Sequence, residues 1–239
     1  MQPFVIDVKT RAAERSGRVD VYLPDDLTRS APAIVFVHGG PVPAELRPTP
    51  RGWPVFTGYG SLCAERGAVA ATVDHRLHDL ASYPLAADDL TEAVEAVRAD
   101  PRVDAGRVAL WFFSGGGPLT ADWLRTPPDW LRCVAATYPY LAAPPDLEAR
   151  FSPAQAVASA GDLPIVLTTV GLERPFVAAT VTAFVDAAGA SGARLEIIEV
   201  PNGQHGFDSL DHTDESRDAV SRALDLVLGH LLATPVSDG

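Results

Sequence analysis

The stretch RVALWFFSGGG, at residues 107–117, is an apolar run that ends at one serine followed by three glycines. Its continuous apolar character predicts a strand that is buried on both faces. One interpretation of its end is a plain strand-to-helix turn, with Ser114 as the helix N-cap. The other is that Ser114 is a nucleophile on a tight turn from which bulky neighbours are excluded. The remainder of the chain has to distinguish the two.

Similar apolar runs recur along the chain, with helical patterns between most of them. We predict strands at 3–9, 18–23, 33–38, 68–74, 107–113, 132–138, 164–170 and 193–200. We predict helices near 54–66, 86–100, 117–125, 175–189 and 214–233. The segment RAAERSG (11–17) is compatible with a hairpin that joins the first two strands.

From AIVFVH (33–38) onward the strands lack polar alternation, which is typical of parallel strands covered by helices on both faces. The 239 residues, 47% of them hydrophobic, provide enough material for a large core. We therefore expect a single α/β domain over 1–239, with a mostly parallel eight-stranded sheet, helices on both faces and a minimal lid.

The net charge of −12 argues against binding to nucleic acid or to an anionic membrane, since both favour clustered Lys and Arg. The N-terminus has no signal-peptide pattern, and no apolar run approaches the length of a membrane span. Cys63 and Cys133 lie in apolar surroundings without metal-ligand spacing, which favours buried, reduced thiols. These features predict a cytoplasmic protein without a metal site.

Three groups that could carry out chemistry follow predicted strands. They are HGG at 38–40, Ser114, and His205 in the polar loop PNGQHGFDSLD (201–211). Nucleophile turns usually read G-x-S-x-G because the residues two positions before and two positions after the serine crowd each other in the sharp bend. Gly116 satisfies the second small position, whereas Phe112 occupies the first.

A serine nucleophile needs a histidine base, and the base needs a carboxylate that fixes its tautomer. Glu173 follows the strand at 164–170, and an ion pair with Arg174 is its alternative role. Asp146 and Asp208 are the reserve candidates for the acid. The chain order Ser114, Glu173, His205 matches the order of the triad in nucleophile-elbow hydrolases.

These motifs resemble the α/β-hydrolase superfamily over nearly the whole chain, especially its dienelactone-hydrolase-like and carboxylesterase branches. The segments that carry the resemblance are HGG (38–40), SGGG (114–117), GLERP (171–175) and QHGFD (204–208). DHRL and YPLAADDL, within 74–90, are similar to the segment after the fourth strand in hormone-sensitive-lipase-like esterases.

The resemblance implies a serine carboxylesterase that needs no cofactor and works through an acyl-enzyme. Ser114 would be the nucleophile, His205 the base and Glu173 the acid, with the N–H groups of Gly115 and of Gly40 or Gly39 as the oxyanion hole. The chain departs from the family in three ways. Serine replaces the cysteine of true dienelactone hydrolases, Pro41 replaces the third glycine of an HGGG motif, and glutamate replaces the usual aspartate.

The predicted substrate is a small or short-chain ester, because no insertion is long enough for a lipase lid. Aromatic and loop residues expected to line its pocket are His38, Gly39, Trp53, Phe56 and Tyr138, with Tyr59 and Tyr140 as further candidates. The alternatives are a hydrolase of the same fold acting on a lactone, thioester or peptide bond, and a non-catalytic binding protein. We expect a monomer or homodimer that binds a small-molecule ester and neither nucleic acid nor a membrane.

Overall fold

The computed structural model describes residues 2–143, 147 and 149–233. The strands are β1 (Glu14–Ser16), β2 (Val19–Tyr22), β3 (Ala31–Val37), β4 (Val69–Val73), β5 (Val103–Phe113), β6 (Leu131–Thr137), β7 (Ile165–Leu172) and β8 (Leu195–Gln204). The helices are α1 (Pro54–Glu65), α2 (Tyr83–Arg98), α3 (Thr120–Arg125), α4 (Pro153–Ala156), α5 (Pro175–Ser191), α6 (Phe207–Leu210) and α7 (Asp214–Leu232). A 3₁₀ turn, Ser114–Leu119, joins β5 to α3.

The eight strands form one sheet in the order β1-β2-β4-β3-β5-β6-β7-β8. The β1–β2 and β2–β4 pairs are antiparallel, and all other neighbours are parallel. Because parallel neighbours point the same way, the loops after β3, β5, β7 and β8 emerge at one edge of the sheet. This topology gathers the three predicted reactive segments and Glu173 at that edge.

Both faces of the sheet are covered, as the continuous apolar runs predict. In β3, Ala33, Val35 and Val37 face the core under α2, α3 and α5, and Ile34 and Phe36 face the core under α1 and α7. Every residue of β3 is buried, since alternate side chains enter opposite cores. The central strands are therefore fixed from both sides, which gives the loops at their ends a rigid base.

The fold expected from the sequence is confirmed, with one wrong strand. Residues 3–9 form no strand, and the first strand lies instead at Glu14–Ser16, inside the segment predicted as a hairpin connection. Phe4 and Val5 are apolar for a different reason: both are buried, with Phe4 against the Tyr59 ring. The real hairpin turns at Gly17, whose φ of 53° suits a tight turn.

Both cysteines are buried and unpaired, and burial raises the pKa of each thiol. In the part of the chain that the structure describes, no helix has the length and apolar character of a membrane span. Within the same residues, no group of three or more His, Cys, Asp or Glu side chains is arranged to hold a metal ion.

Candidate active site

Ser114 sits at the tip of a sharp turn between β5 and the following 3₁₀ turn. Its φ is 50°, a left-handed conformation that non-glycine residues adopt rarely and mostly where the surroundings impose it. The glycine loop after β3 packs directly against this turn, so that a Cβ on Gly39 would lie 2.8 Å from the Ser114 Cβ. A Cβ on Gly116 would lie 2.8 Å from the His38 carbonyl oxygen. The glycines therefore allow two loops to meet around one hydroxyl.

Phe112, the departure from the small residue expected two positions before the serine, does not enter this turn. Its side chain is fully buried in the core under α2 and α3. In the sheet register Phe112 lies between Val37 of β3 and Ala136 of β6, and the small Ala136 leaves room for a ring. The crowding that favours glycine at this position is thus avoided by directing the ring into the core.

Three side chains from the ends of β5, β7 and β8 form a continuous hydrogen-bonded chain. Ser114 Oγ lies 2.6 Å from His205 Nε2. His205 Nδ1 lies 2.5 Å from Glu173 Oε2. The order of groups is that of a nucleophile, a base and the acid that fixes the tautomer of the base. With Glu173 accepting from Nδ1–H, Nε2 is free to accept the serine proton.

The Glu173 carboxylate is held by more than His205. Its Oε1 accepts a hydrogen bond of 2.7 Å from the Arg174 backbone N–H, and the Arg174 Nε lies 3.6 Å away. The Glu173 side chain is only 5% exposed, whereas that of Arg174 is 59% exposed. The ion pair considered as an alternative role therefore coexists with the His205 contact. It is long and solvated, so it contributes little by itself.

Of the two reserve acids, Asp208 lies apart from the His205 nitrogens and Asp146 falls outside the described residues. Asp208 is fully buried and accepts hydrogen bonds from the hydroxyls of Tyr138 at 2.8 Å and Tyr59 at 3.1 Å. Burial raises the pKa of Asp208 to about 6, although both hydroxyl bonds act in the opposite direction. Asp208 thus anchors the base of the histidine loop, with Tyr138 between it and the His205 ring.

A cleft of about 330 Å³ opens beside Ser114 and His205. Its walls combine the two glycine segments with apolar side chains and one cation: Gly40, Pro41, Leu80, Tyr83, Gly115, Tyr140, Arg174, Phe176 and Val177. Leu80 and Phe176 are 48% and 61% exposed, which places apolar surface at the cleft mouth. The cleft can therefore accept a small apolar group next to the serine hydroxyl.

Most of the predicted pocket residues do not line this cleft, and that expectation needs correction. His38, Phe56 and Tyr138 are buried in the core, and Trp53 packs on Phe56 while its indole N–H bonds the Pro48 carbonyl. Gly39 contacts the serine turn from behind, as described above. Aromatic character alone does not separate core from cleft, because aromatic rings serve both. Tyr140 is the one predicted aromatic that reaches the cleft.

Two backbone N–H groups near the serine, those of Gly115 and Gly40, belong to residues that line the cleft. The Ser114 carbonyl accepts a 2.9 Å bond from the Tyr140 N–H, which fixes the peptide that carries the Gly115 N–H. Gly40 lines the same cleft and lies directly against Gly115, since a Cβ on Gly115 would clash with the Gly40 carbonyl. Within the described residues its N–H donates to no protein atom. Pro41, which follows it, has no N–H, so Gly40 carries the last N–H of the HGG segment before the proline.

The sequence did not identify Tyr83, Arg174 or Phe176 as parts of the cleft. Tyr83 begins α2 and donates its hydroxyl to the Gly115 carbonyl at 2.7 Å. In the sequence, Tyr83 stands out only as the first residue of the YPLAADDL segment, and the resemblance of that segment to esterases implies no role for it. The position of Phe176 depends on how α5 is docked, which residue pattern alone does not predict.

Comparison with known proteins shows the same architecture. Solved structures of esterases superpose over almost all of the chain. A thermostable esterase from Pseudomonas putida ECU1011 gives a TM-score of 0.74 at 19% identity, over 95% of this chain and 84% of that one. Esterase 2 of Thermogutta terrifontis, phosphoramylated by tabun, gives 0.67 at 21% identity, over 94% and 93% of the two chains. The chain has the α/β-hydrolase fold.

A family model adds a match to part of the chain. Residues 19–122 match the family BD-FAE. The match includes the glycine loop after β3 and the turn at Ser114, whereas Glu173 and His205 lie beyond it. No curated protein matches the chain.

Gly39→Ala should destabilise the protein at the contact between the glycine loop after β3 and the turn at Ser114. The added Cβ would meet the Ser114 Cβ at 2.8 Å and the Phe113 carbonyl at 2.9 Å, and neither atom can move freely. We expect a loss of about 1–3 kcal/mol in the free energy of unfolding, as for other overpacked sites. Urea unfolding measures it.

Gly189→Ala is the matched control, because a Cβ on Gly189 in α5 meets nothing within 4 Å. Replacing a glycine inside a helix should raise stability by about 0.5–1 kcal/mol. Equal stability changes in the two variants would show that the two loops are not in close contact.

Asp208→Asn should change how stability depends on pH. The pKa of Asp208 in the folded protein, about 6, lies above the ordinary aspartate value of 3.8, so folding favours the protonated form. This contribution is present below about pH 4 and is lost as pH rises through 6, at about 1.4 kcal/mol per pH unit at most. The asparagine variant cannot titrate there. Relative to it, the wild type should lose about 1–3 kcal/mol between pH 4 and pH 7 in urea unfolding. Parallel curves would contradict the assignment.

Proposed function

We propose that this protein is a serine esterase that hydrolyses small or short-chain carboxylic esters through an acyl-enzyme. The observation that carries the proposal is the hydrogen-bonded chain Ser114–His205–Glu173 at the floor of an open cleft. Each bond in that chain is 2.6 Å or shorter, and the serine occupies a strained left-handed turn. A turn that only connects a strand to a helix needs neither feature.

In the acylation step, Ser114 Oγ attacks the ester carbonyl carbon while His205 Nε2 takes the hydroxyl proton. The carbonyl oxygen becomes an oxyanion, and the N–H groups of Gly115 and Gly40 stabilise it. Glu173 stabilises the imidazolium that forms on His205. When the tetrahedral intermediate collapses, the alcohol leaves with the proton from Nε2, and the acyl group remains on Ser114.

In the deacylation step, water enters the position left by the alcohol. His205 Nε2 removes a proton from the water, which attacks the acyl carbonyl and forms a second oxyanion in the same place. Collapse releases the carboxylic acid and returns the proton to Ser114 Oγ. Every proton moves through His205 Nε2. The hydrogen bond between His205 Nδ1–H and Glu173 keeps the ring proton on Nδ1, so Nε2 can act as the base in both halves of the reaction.

The structural relatives support a reactive serine. Two solved structures of Thermogutta terrifontis esterase 2 show that enzyme phosphoramylated by tabun and phosphorylated by paraoxon. Organophosphorus reagents of this kind form a covalent bond to an activated nucleophile. We propose that Ser114 reacts in the same way.

A fluorophosphonate probe should label Ser114, with the adduct located by peptide mass spectrometry. Labelling should disappear in Ser114→Ala. It should persist in Ser159→Ala, which removes an exposed serine distant from Ser114 in the sequence. An intact, folded protein that takes up no probe would favour the alternative of a non-catalytic binding protein. Labelling at another serine would place the nucleophile elsewhere.

The acid can be tested by turnover of p-nitrophenyl butyrate. Glu173→Gln keeps the size of the side chain but cannot stabilise an imidazolium, so kcat should fall about 10²- to 10⁴-fold. Glu199→Gln, which alters an exposed glutamate on β8, should retain wild-type kcat. If Glu173→Gln retains near-normal activity, another carboxylate holds His205, and Asp146 becomes the first to examine.

Chain length of the acyl group should show a clear limit. A cleft of about 330 Å³ with an exposed apolar mouth accommodates a short acyl chain but leaves a long one in solvent. We expect kcat/KM to be highest for p-nitrophenyl acetate or butyrate and lower for the octanoate, because extra methylenes outside the cleft gain little burial. A steady increase up to the octanoate would require a longer binding surface.

A further inference from the structure

Two buried histidines lie directly behind the glycine loop that carries Gly40. His38 is the first residue after β3, and His75 lies shortly after the end of β4. Their rings stack with centroids 3.8 Å apart and planes 14° apart. Both residues are at most 4% exposed, so neither ring reaches the cleft. Neither histidine takes part in the acyl-transfer chemistry described above.

The hydrogen bonds around each ring fix its tautomer. His38 Nε2 accepts from the His75 backbone N–H at 3.4 Å, so the ring proton is on Nδ1, which donates to the Gly39 carbonyl at 2.5 Å. His75 Nδ1 accepts from the Leu77 N–H at 3.4 Å, so its proton is on Nε2, which donates to the His38 carbonyl at 3.0 Å. Each ring has one donor and one acceptor, and each is used.

These two donors hold two successive peptide planes. The Gly39 carbonyl and the Gly40 N–H belong to one trans peptide, in which the two groups point in opposite directions. His38 binds the carbonyl from the core side, and the N–H, which lies in the same plane but points to the opposite side of the chain, is thereby directed away from the core. His75 holds the preceding peptide in the same way through the His38 carbonyl.

Both rings must stay neutral for this arrangement to persist. Burial, with the neighbouring His75 as a further cause, keeps the pKa of His38 well below its ordinary value. Burial lowers the pKa of His75 to about 4. A proton added to His38 Nε2 would face the His75 N–H, and one added to His75 Nδ1 would face the Leu77 N–H. The geometry and the burial therefore favour the same neutral tautomers.

We infer that His38 and His75 are positioning residues that aim the Gly40 N–H at the oxyanion of the reaction, an inference that rests on the proposed esterase function. The other donor has an equivalent anchor, since the Tyr140 N–H holds the Ser114 carbonyl of the peptide that carries the Gly115 N–H. The Gly40 loop has the greater need of a side-chain anchor. It is not part of a helix, and Pro41 contributes no N–H of its own.

The two donor atoms differ in position, which permits a reciprocal test. The amide nitrogen of asparagine falls near the Nδ1 of histidine, whereas that of glutamine falls near Nε2. His38→Asn and His75→Gln should therefore keep the anchoring bond, and His38→Gln and His75→Asn should misplace it. All four replacement side chains are polar and similar in size. Any loss of stability should therefore be similar in the two pairs, and a difference in kcat between the pairs reports the position of the amide nitrogen.

With p-nitrophenyl butyrate, His38→Gln and His75→Asn should lower kcat about 10- to 100-fold while KM changes little, because the oxyanion forms only in the transition state. His38→Asn and His75→Gln should recover most of kcat. Binding of a trifluoromethyl ketone, which forms an oxyanion on the serine, should weaken in parallel with kcat. His212→Gln, at an exposed histidine, is the control. If the two exchanges at each position behave alike, the positioning role is wrong.

A nitrogen-15 NMR spectrum of the wild-type histidines makes the test independent of turnover. We expect His38 as the Nδ1–H tautomer and His75 as the Nε2–H tautomer at pH 7, both neutral. The opposite tautomer at either ring would overturn the anchoring. If the tautomers are as expected but Ser114 neither reacts with a fluorophosphonate nor supports ester turnover, the esterase proposal fails and the anchoring bonds remain as a structural feature.

Discussion

The constraint on which the candidate active site depends is the contact between two loops that leave adjacent parallel strands. β3 and β5 are paired in register up to Val37 and Phe112, so the chain segments that follow them must share one small volume. They do so because Gly39 and Gly116 have no side chains where a Cβ would meet backbone or the serine. At this contact Ser114 adopts a left-handed conformation, and its hydroxyl lies at the edge of the sheet where β5 ends.

The sequence predicts the features that follow from local pattern and chain order. Continuous apolar runs identify the central strands, since burial on both faces leaves no polar alternation. Reactive groups placed just after successive strands must converge at one sheet edge, and Ser114, Glu173 and His205 do meet there. The choice of Glu173 over Asp208 was open in the sequence. It depends on which carboxylate reaches His205, and that distance is set by the docking of β7 beside β8.

Other features lie beyond local pattern because tertiary packing decides them. Phe4 and Val5 have the apolar character of a strand, but they pack as irregular chain and Val5 bonds the Asp208 carbonyl. Trp53 and Phe56 are aromatic, as residues that line a substrate pocket often are. They pack instead in or against the core on one face of the sheet. Phe176 lines the cleft only because α5 begins directly after Arg174. In each case the residue type is compatible with two environments, and the long-range contacts choose between them.

The histidines near the serine show how burial assigns different chemistry to one side chain. His205 is 22% exposed at its side chain and has a carboxylate at Nδ1, so an imidazolium formed there has both a counter-charge and access to water. His38 and His75 are enclosed, have only backbone partners, and would lose an acceptor on protonation. In the proposed reaction the proton of Ser114 therefore passes to His205, while the two rings behind the glycine loop would retain the fixed dipoles that a preorganised oxyanion site requires. The same enclosure that makes His38 and His75 unsuitable as bases makes them suitable as anchors.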